Sequence, residues 1–253
     1  MKNIFKIHPL YYIVALITIF TGLFKDFIYI TLLIFIHEIG HLIGALYYKW
    51  NIKKVVILPF GGITIFNELI NKSLKEEFVI LVLGPLFQIL FYFILCIFNF
   101  ESNLMTNYHY GLLLFNFIPI IPLDGSKLLN IILNKIFSFK LSHIISLFIS
   151  LIYLIYLFIR TIIIKNLILF IILIFLLIKN IKEIYLHKYL FNKFLFERYN
   201  YNLKFKKIKR IKGLKIYKMK KDYKHLFYLN KYITENEILK DYFNIWLYKM
   251  PSI

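Results

Sequence analysis

Long apolar runs separated by short polar links fill most of the first 178 residues of the chain. The runs cover about residues 10–24, 27–48, 78–99, 108–134 and 141–178. A helix needs about 20 predominantly apolar residues to cross a bilayer, and the last run is long enough for two helices joined near Arg160 and Lys165. The pattern predicts an all-α polytopic membrane protein with about six transmembrane helices, and a five-helix arrangement is the alternative.

A β-branched and aromatic stretch, KVVILPFGGITIF, lies between the second and third apolar runs. The Pro and the Gly-Gly pair in its middle indicate a turn, so the stretch predicts a small membrane-associated β-hairpin over residues 55–66. The edges of such a hairpin cannot lie bare in lipid, because their backbone groups would be unsatisfied. We therefore expect it to pack on protein or at the membrane surface.

From residue 179 onward the chain is strongly basic, with 19 Lys and Arg against 6 Asp and Glu, or +13 of the total net charge of +19. This tail begins as a charged, helix-like linker and continues with a strand and an amphipathic helix, at whose start Thr234 and Glu237 match a capping box. We expect a transmembrane domain at residues 1–180, and a basic linker with a small α+β domain at residues 181–253.

Composition and charge set the expected location. The 253 residues are 60% hydrophobic with a mean hydropathy of +0.70, which excludes an ordinary soluble protein, and the single Cys96 excludes an intrachain disulfide. Because cytoplasmic links carry the excess of Lys and Arg, the pattern predicts a multi-pass integral membrane protein with its N-terminus and C-terminal domain in the cytosol. A basic tail suits nucleic acid or anionic lipid; lipid is preferred, and no direct nucleic-acid contact is expected.

Three ionisable residues, His37, Glu38 and His41, interrupt the second apolar run in the order H-E-x-x-H. Positions four apart share one face of a helix, so the imidazoles can bind one zinc ion while the glutamate acts as general base for water. The alternative is that the histidines are buried, hydrogen-bonded residues without a catalytic role. This alternative is less favoured inside a membrane span, because ionisable groups there are usually functional. Gly40 and Gly44 thin this helix and allow another element to approach closely.

A catalytic zinc ion normally has three protein ligands and one open position. Asp124 is the only carboxylate in the fourth apolar run, within NFIPIIPLDG, where two prolines and a glycine break the helix. It is the strongest candidate for the third ligand, and an N-cap role is its alternative. His109 and His143 are alternative ligands for which we expect packing or interfacial roles. The remaining histidines are expected to be solvated: His8, His187 and His225.

HEIGH in the second run, followed about 80 residues later by NFIPIIPLDG in a broken run, resembles the site-2 protease family of intramembrane zinc metalloproteases, peptidase family M50. The resemblance covers roughly residues 10–180. It implies Glu38 as the catalytic base and a zinc ion held by His37, His41 and Asp124. It also implies a substrate-facing loop, whose motif positions are matched by Asn116 and Pro122.

The link at residues 100–107 leaves no room for a PDZ insertion, and HLFYLNKYITENEIL in the tail resembles half of a CBS module. Both features resemble the sporulation branch of the family, which cleaves the precursor of a sigma factor. The resemblance implies a membrane-associated protein substrate, such as a sigma-factor precursor, and inhibitory membrane partner proteins. Gly125-Ser126 departs from the Gly-Gly often found there, and the short basic tail departs from a complete nucleotide-binding module.

Other functions remain open on the sequence alone. A site-2-type protease with another membrane substrate, such as an anti-sigma factor, has the same motifs. A divalent-metal transporter would need further polar residues along a membrane path, and the other spans contain almost none. A catalytically inactive membrane anchor would have no use for Glu38 as a base.

Overall fold

The computed structural model of the chain describes residues 5–59, 61–100, 102–165, 167–201, 203–229 and 231–248. Most of these residues are helical, and the helices are α1 Pro9–Phe20, α2 Phe24–Tyr47, α3 Leu74–Ile97, α4 Asn103–Phe117, α5 Asp124–Ile136, α6 Phe139–Ile164, α7 Leu167–Asn200 and α8 Glu235–Tyr248. Two small sheets contain the strands β1 Phe5–Ile7, β2 Ile52–Leu58, β3 Gly61–Phe66, β4 Lys207–Lys212, β5 Tyr223–Tyr228 and β6 Tyr232–Thr234.

Among the described residues, three helices are long and apolar enough to cross a membrane: α2, α3 and α6. Helix α1 is apolar but shorter, at 12 residues, and α4 has 15. The prediction of a mainly helical membrane protein is therefore confirmed. The count of six spans and the cytosolic position of both ends stay predictions.

Helices α2 and α3 pack closely together, and glycines make their approach possible. A side chain at Gly40 would overlap the backbone of Leu83 and Gly84, and one at Gly44 would meet Ile80 and the Leu83 side chain. Small residues let helix backbones come close in a membrane, where packing replaces the hydrophobic effect as the main attraction. The close approach brings α3 against the face of α2 that carries the H-E-x-x-H residues.

The break predicted in the fourth apolar run lies between α4, which ends at Phe117, and α5, which begins at Asp124. Side chains of α6 and α7 hold the intervening loop. The Ile121 amide donates to Ser150 Oγ at 2.9 Å, and the buried Asn180 amide donates to the same oxygen at 2.6 Å and to the Ile121 carbonyl at 3.4 Å. The loop backbone thus finds partners inside the protein, as irregular backbone at membrane depth requires.

The last apolar block forms two helices, α6 and α7, with the break next to Lys165 as predicted. Helix α7 then continues without interruption through the predicted linker to Asn200, so it is ~50 Å long at about 1.5 Å per residue. The expected domain boundary at residues 180–181 falls inside this helix and stays a prediction.

The predicted hairpin consists of β2 and β3, paired antiparallel with Val55 opposite Thr64. Two features differ from the sequence expectation. The Gly-Gly pair belongs to β3 rather than to the turn, since Gly61 pairs with Leu58 and Gly62 with Ile57 of β2. A third strand, β1, pairs in parallel with β2, and its three residues have no local pattern that would predict a strand.

In the tail, β4 and β5 are parallel, β5 and β6 are antiparallel, and α8 packs on this sheet. One half of the predicted capping box is present, since the Glu237 amide donates to Thr234 Oγ1 at 3.4 Å. The Glu237 carboxylate accepts the Thr234 hydroxyl at 2.9 Å. The tail shares one hydrophobic core with the ends of α6 and α7: Phe139, Phe194, Leu195, Ile211, Met219, Phe227, Ile238 and Leu239.

A turn of the tail contacts the N-terminus of α3 and the C-terminus of α5. Asp222 accepts the Leu74 amide at the N-terminus of α3 at 3.2 Å, and Lys221 pairs with Glu77 in the first turn of that helix. Lys220 donates to the last carbonyls of α5, including that of Lys135 at 3.3 Å. An anion at a helix N-terminus and a cation at a C-terminus both complement the helix dipole.

The expectation that His225 is solvated is wrong, because its side chain is fully buried. Its Nε2 accepts the Lys220 amide at 3.0 Å, and its Nδ1 donates to Glu235 at 3.1 Å. Burial lowers the pKa of His225. Burial alone would raise the pKa of Glu235, but the hydrogen bond from His225 and the charge of Arg198 hold that pKa below its usual value.

The glycine contact between α2 and α3 gives the first prediction. Gly40→Ala should lower the unfolding temperature of the detergent-solubilised protein by several degrees, because overpacking against backbone costs about 1–3 kcal/mol. Gly111→Ala on α4 is the matched control, since a side chain there meets nothing within 4 Å. Thermal unfolding followed by intrinsic fluorescence measures both, and equal unfolding temperatures for the two variants would contradict the packing argument.

Candidate metal centre

Helix α2 presents its three ionisable residues on one buried face. His37, Glu38 and His41 have exposed fractions of 2%, 5% and 5%. Their candidate ligand atoms all lie within 4.8 Å of one another. The helical period of 3.6 residues explains this arrangement, since positions 37, 38 and 41 fall on adjoining parts of one face.

Asp124, the first residue of α5, completes the group. Its Oδ2 atom lies 3.0 Å from His37 Nε2 and 2.9 Å from His41 Nε2. Leu123, and not Asp124, occupies the N-cap position of α5, so the alternative of a capping aspartate does not describe this side chain. The loop held by Ser150 and Asn180 therefore delivers a carboxylate to the two imidazoles from across the bundle.

The donor set fits a zinc ion. Two ligand atoms that are each about 2.0–2.1 Å from a tetrahedral ion stand about 3.3 Å apart, so Asp124 Oδ2 needs to move away from each Nε2 atom by only a few tenths of an ångström. Two imidazole nitrogens, one carboxylate oxygen and an adjacent cavity match a catalytic zinc site, which keeps one position open.

Partners on α3 orient both imidazoles. His37 Nδ1 lies 3.0 Å from Gln88 Oε1, and His41 Nδ1 lies 2.9 Å from the Ile80 carbonyl. Both acceptors require the proton on Nδ1, so in a neutral histidine the lone pair available to a metal is on Nε2, the atom that faces Asp124. Histidine ligands of metals are usually oriented in this way. The glycine contact between α2 and α3 is what brings these acceptors within reach.

Gln88 is a functional candidate that the sequence reasoning missed. It is fully buried, and its amide also donates to the His109 carbonyl at 3.1 Å. His109 therefore lies behind Gln88 and does not reach Asp124, in agreement with a packing role. The sequence did contain an indication of this role. Gln88 is the only amide side chain in the apolar sequence of α3, and polar side chains inside membrane spans are usually functional.

Lys127 is a second residue without a predicted role. Its ammonium group lies 2.9 Å from Asp124 Oδ1, one helical turn further along α5. The two carboxylate oxygens of Asp124 thus have different partners, with Oδ1 on Lys127 and Oδ2 between the imidazoles. The lysine restrains the rotation of the carboxylate and leaves Oδ2 as the atom directed at the histidines.

The two residues assigned to a substrate-facing loop lie next to Asp124. Asn116 and Pro122 line a narrow cleft between the loop and strand β3, together with Gly61 and Gly62.

A larger cavity of about 440 Å³ opens beside Glu38 and His41. Its wall is apolar near Trp50 and Phe66, and polar where α6 and α7 contribute His143 and Glu183. His143 Nε2 lies 3.8 Å from Glu183 and is not among the atoms that converge with Asp124. This histidine faces the cavity and does not join the candidate ligands.

Comparisons with known proteins agree with this geometry. Residues 26–107 match peptidase family M50. Stage IV sporulation protein FB of Bacillus subtilis is 37% identical over 152 residues, which are 57% of this chain and 53% of that protein. A zinc metalloprotease of Methanocaldococcus jannaschii is 32% identical over 119 residues, which are 43% of this chain and 34% of that protein. The chain thus spans about half of the first relative and about a third of the second.

The solved structure of the site-2 protease from Methanocaldococcus jannaschii superposes with a TM-score of 0.58 at 24% identity, and covers 71% of this chain and 89% of that one. At this identity the likeness shows the fold. The H-E-x-x-H residues lie inside the matched segment of 26–107, and Asp124 lies beyond it. Residues 26–107 therefore match peptidase family M50, and the chain shares the fold of the solved site-2 protease.

Proposed function

We propose that this protein is a zinc-dependent intramembrane endopeptidase that hydrolyses a peptide bond of a membrane-associated protein. The observation that carries the proposal is the convergence of two buried imidazoles and one carboxylate beside a buried glutamate and an open cavity. The M50 match over residues 26–107 supports the same reaction class. A structural cluster of histidines would not need a cavity at its edge.

In the proposed site, His37, His41 and Asp124 hold one zinc ion. When bound, the ion supplies a Lewis acid that polarises the scissile carbonyl and makes water more acidic. The Nδ1 partners on α3 keep both histidines in the tautomer that a metal needs. Lys127 keeps the Asp124 carboxylate turned toward them.

Glu38 is the proposed general base. Its carboxylate lines the cavity next to His41, where it can take a proton from the attacking water and pass it to the leaving amine. Its burial limits the access of bulk water, so the proton stays within the site. Asn116 and Pro122 are proposed to face the substrate, because they line the cleft between the Asp124 loop and strand β3.

A sigma-factor precursor is the proposed substrate, and an anti-sigma factor is the alternative. The sporulation protein of Bacillus subtilis, with 37% identity over 57% of this chain, supports a role in sporulation. Inhibitory membrane proteins are the proposed regulators, as in the sporulation branch that the sequence resembles.

The protein is proposed to be multi-pass, with its N-terminus and C-terminal domain in the cytosol. The tail forms a strand-rich unit with one helix, which supports the proposal of a partial CBS-like domain from about residue 181. Exposed cations of β4, Lys207, Arg210 and Lys212, suit contact with anionic lipid headgroups. Direct contact with nucleic acid is not part of the proposal.

The metal site gives a quantitative prediction. The purified protein should contain about one zinc ion per chain, and Asp124→Ala should lower this content strongly because a three-ligand site becomes a two-ligand site. Asp241→Ala is the matched control, since Asp241 is exposed on α8. Plasma emission analysis after dialysis measures zinc, and an undiminished content in a folded Asp124→Ala protein would remove Asp124 from the site.

The base gives a second prediction. Glu38→Gln should keep its zinc but lose at least 100-fold in cleavage, because glutamine preserves the shape of glutamate and cannot accept the proton. Cleavage is measured on a co-expressed sigma-factor precursor by immunoblot and on dye-labelled casein in detergent. If the variant cleaved either protein at the rate of the unaltered enzyme, Glu38 would not be the base.

A further inference from the structure

Strand β3 lies against the catalytic glutamate. Residues two apart in a strand point to the same side, and the side that carries Gly62 and Thr64 faces Glu38. The Thr64 hydroxyl donates to Glu38 Oε2 at 2.6 Å. Thr64 also lines the cavity beside Glu38 and His41, so this hydrogen bond is made at the site itself.

Gly62 supplies the space that this contact requires. A side chain at Gly62 would overlap Cγ, Cδ and Oε1 of Glu38, whereas one at Gly61 would meet nothing within 4 Å. The backbone of Gly62 is not in the left-handed region, so its conformation does not demand glycine. The reason for glycine at position 62 is therefore the position of the Glu38 side chain.

These two contacts act on different parts of one carboxylate. Thr64 fixes Oε2 through a hydrogen bond to a charged group, the stronger kind of hydrogen bond. The Gly62 backbone lies against the rest of the side chain and restricts where the carboxylate can rotate. Glu38 is thereby held from the side opposite α2, by an element separate from those that position the histidines and Asp124.

We propose that Thr64 and Gly62 are positioning residues for Glu38: β3 holds the general base in the orientation that serves the reaction. The inference rests on the proposed function and adds to it a role for the hairpin. Metal binding should not depend on this contact, because the histidines and Asp124 are oriented from α3 and α5. The hairpin variants should therefore lose turnover while they keep their zinc.

Kinetics of paired variants test the proposal. Thr64→Val removes the hydroxyl at nearly constant volume and should lower kcat about tenfold to 100-fold with little change in KM, since a displacement of about 1 Å in a reacting group can cost 100-fold. Thr64→Ser keeps the donor and should retain most of kcat. Gly62→Ala should lose at least as much kcat as Thr64→Val, and Gly61→Ala should resemble the unaltered protein. The substrate is dye-labelled casein in detergent, and zinc is measured in every variant.

A second measurement tests the contact without activity. Thr64→Val should lower the unfolding temperature of the unaltered protein but have little effect in a Glu38→Ala background, where the acceptor is gone. Thr18→Val is the control, because the Thr18 hydroxyl donates within α1, to the Ala15 carbonyl at 2.8 Å, and its effect should be the same in both backgrounds.

Each outcome decides a separate point. Unaltered kcat in Thr64→Val, or equal losses in Thr64→Ser and Thr64→Val, would overturn the positioning role of the hydroxyl. Equal kcat in Gly61→Ala and Gly62→Ala would overturn the role of Gly62. Loss of zinc in the hairpin variants would show that β3 supports the whole metal site, and would overturn a role confined to the position of Glu38. If Glu38→Gln kept full cleavage, the proposed function would fail, whatever the hairpin variants did.

Discussion

Two imidazoles and two carboxylates in an apolar helical bundle are tolerated only if every polar atom has a partner. An unpaired polar group in such an interior costs several kcal/mol, and this constraint organises much of the structure. His37 and His41 find acceptors on α3, Asp124 finds Lys127, and Glu38 finds Thr64. The partners belong to α3, α5 and β3, so the site assembles only when these elements and α2 meet.

The packing of the bundle follows from this requirement. The glycines of α2 let α3 come close enough to supply Gln88 and the Ile80 carbonyl. Ser150 and Asn180 hold the broken loop that carries Asp124, and Gly62 lets strand β3 reach Glu38. The tail then contacts the N-terminus of α3 and the C-terminus of α5 through Lys220, Lys221 and Asp222. The helices that support the site are thus also the helices that the tail holds.

Local patterns in the sequence account for the motif helix, the broken loop, the hairpin and the capping box of the tail. Each of these depends on spacing within a few residues, which a single sequence records. The contributions of Gln88, Thr64 and strand β1 depend on residues distant in the chain, so no local pattern predicts them. The burial of His225 could not be predicted for the same reason, because Glu235 comes next to it only when β5 and α8 pack together. Of these residues, Gln88 was the easiest to predict, because it is the only amide in the apolar sequence of α3.

The central claim is that His37, His41 and Asp124 together bind one catalytic zinc ion. X-ray absorption at the zinc edge of the purified protein tests it most directly, because the spectrum reports the kind, number and distance of the ligand atoms. The account predicts two imidazole nitrogens and at least one oxygen at about 2.0–2.2 Å, with no sulfur. A zinc ion without imidazole ligands, or one bound by sulfur, would contradict it.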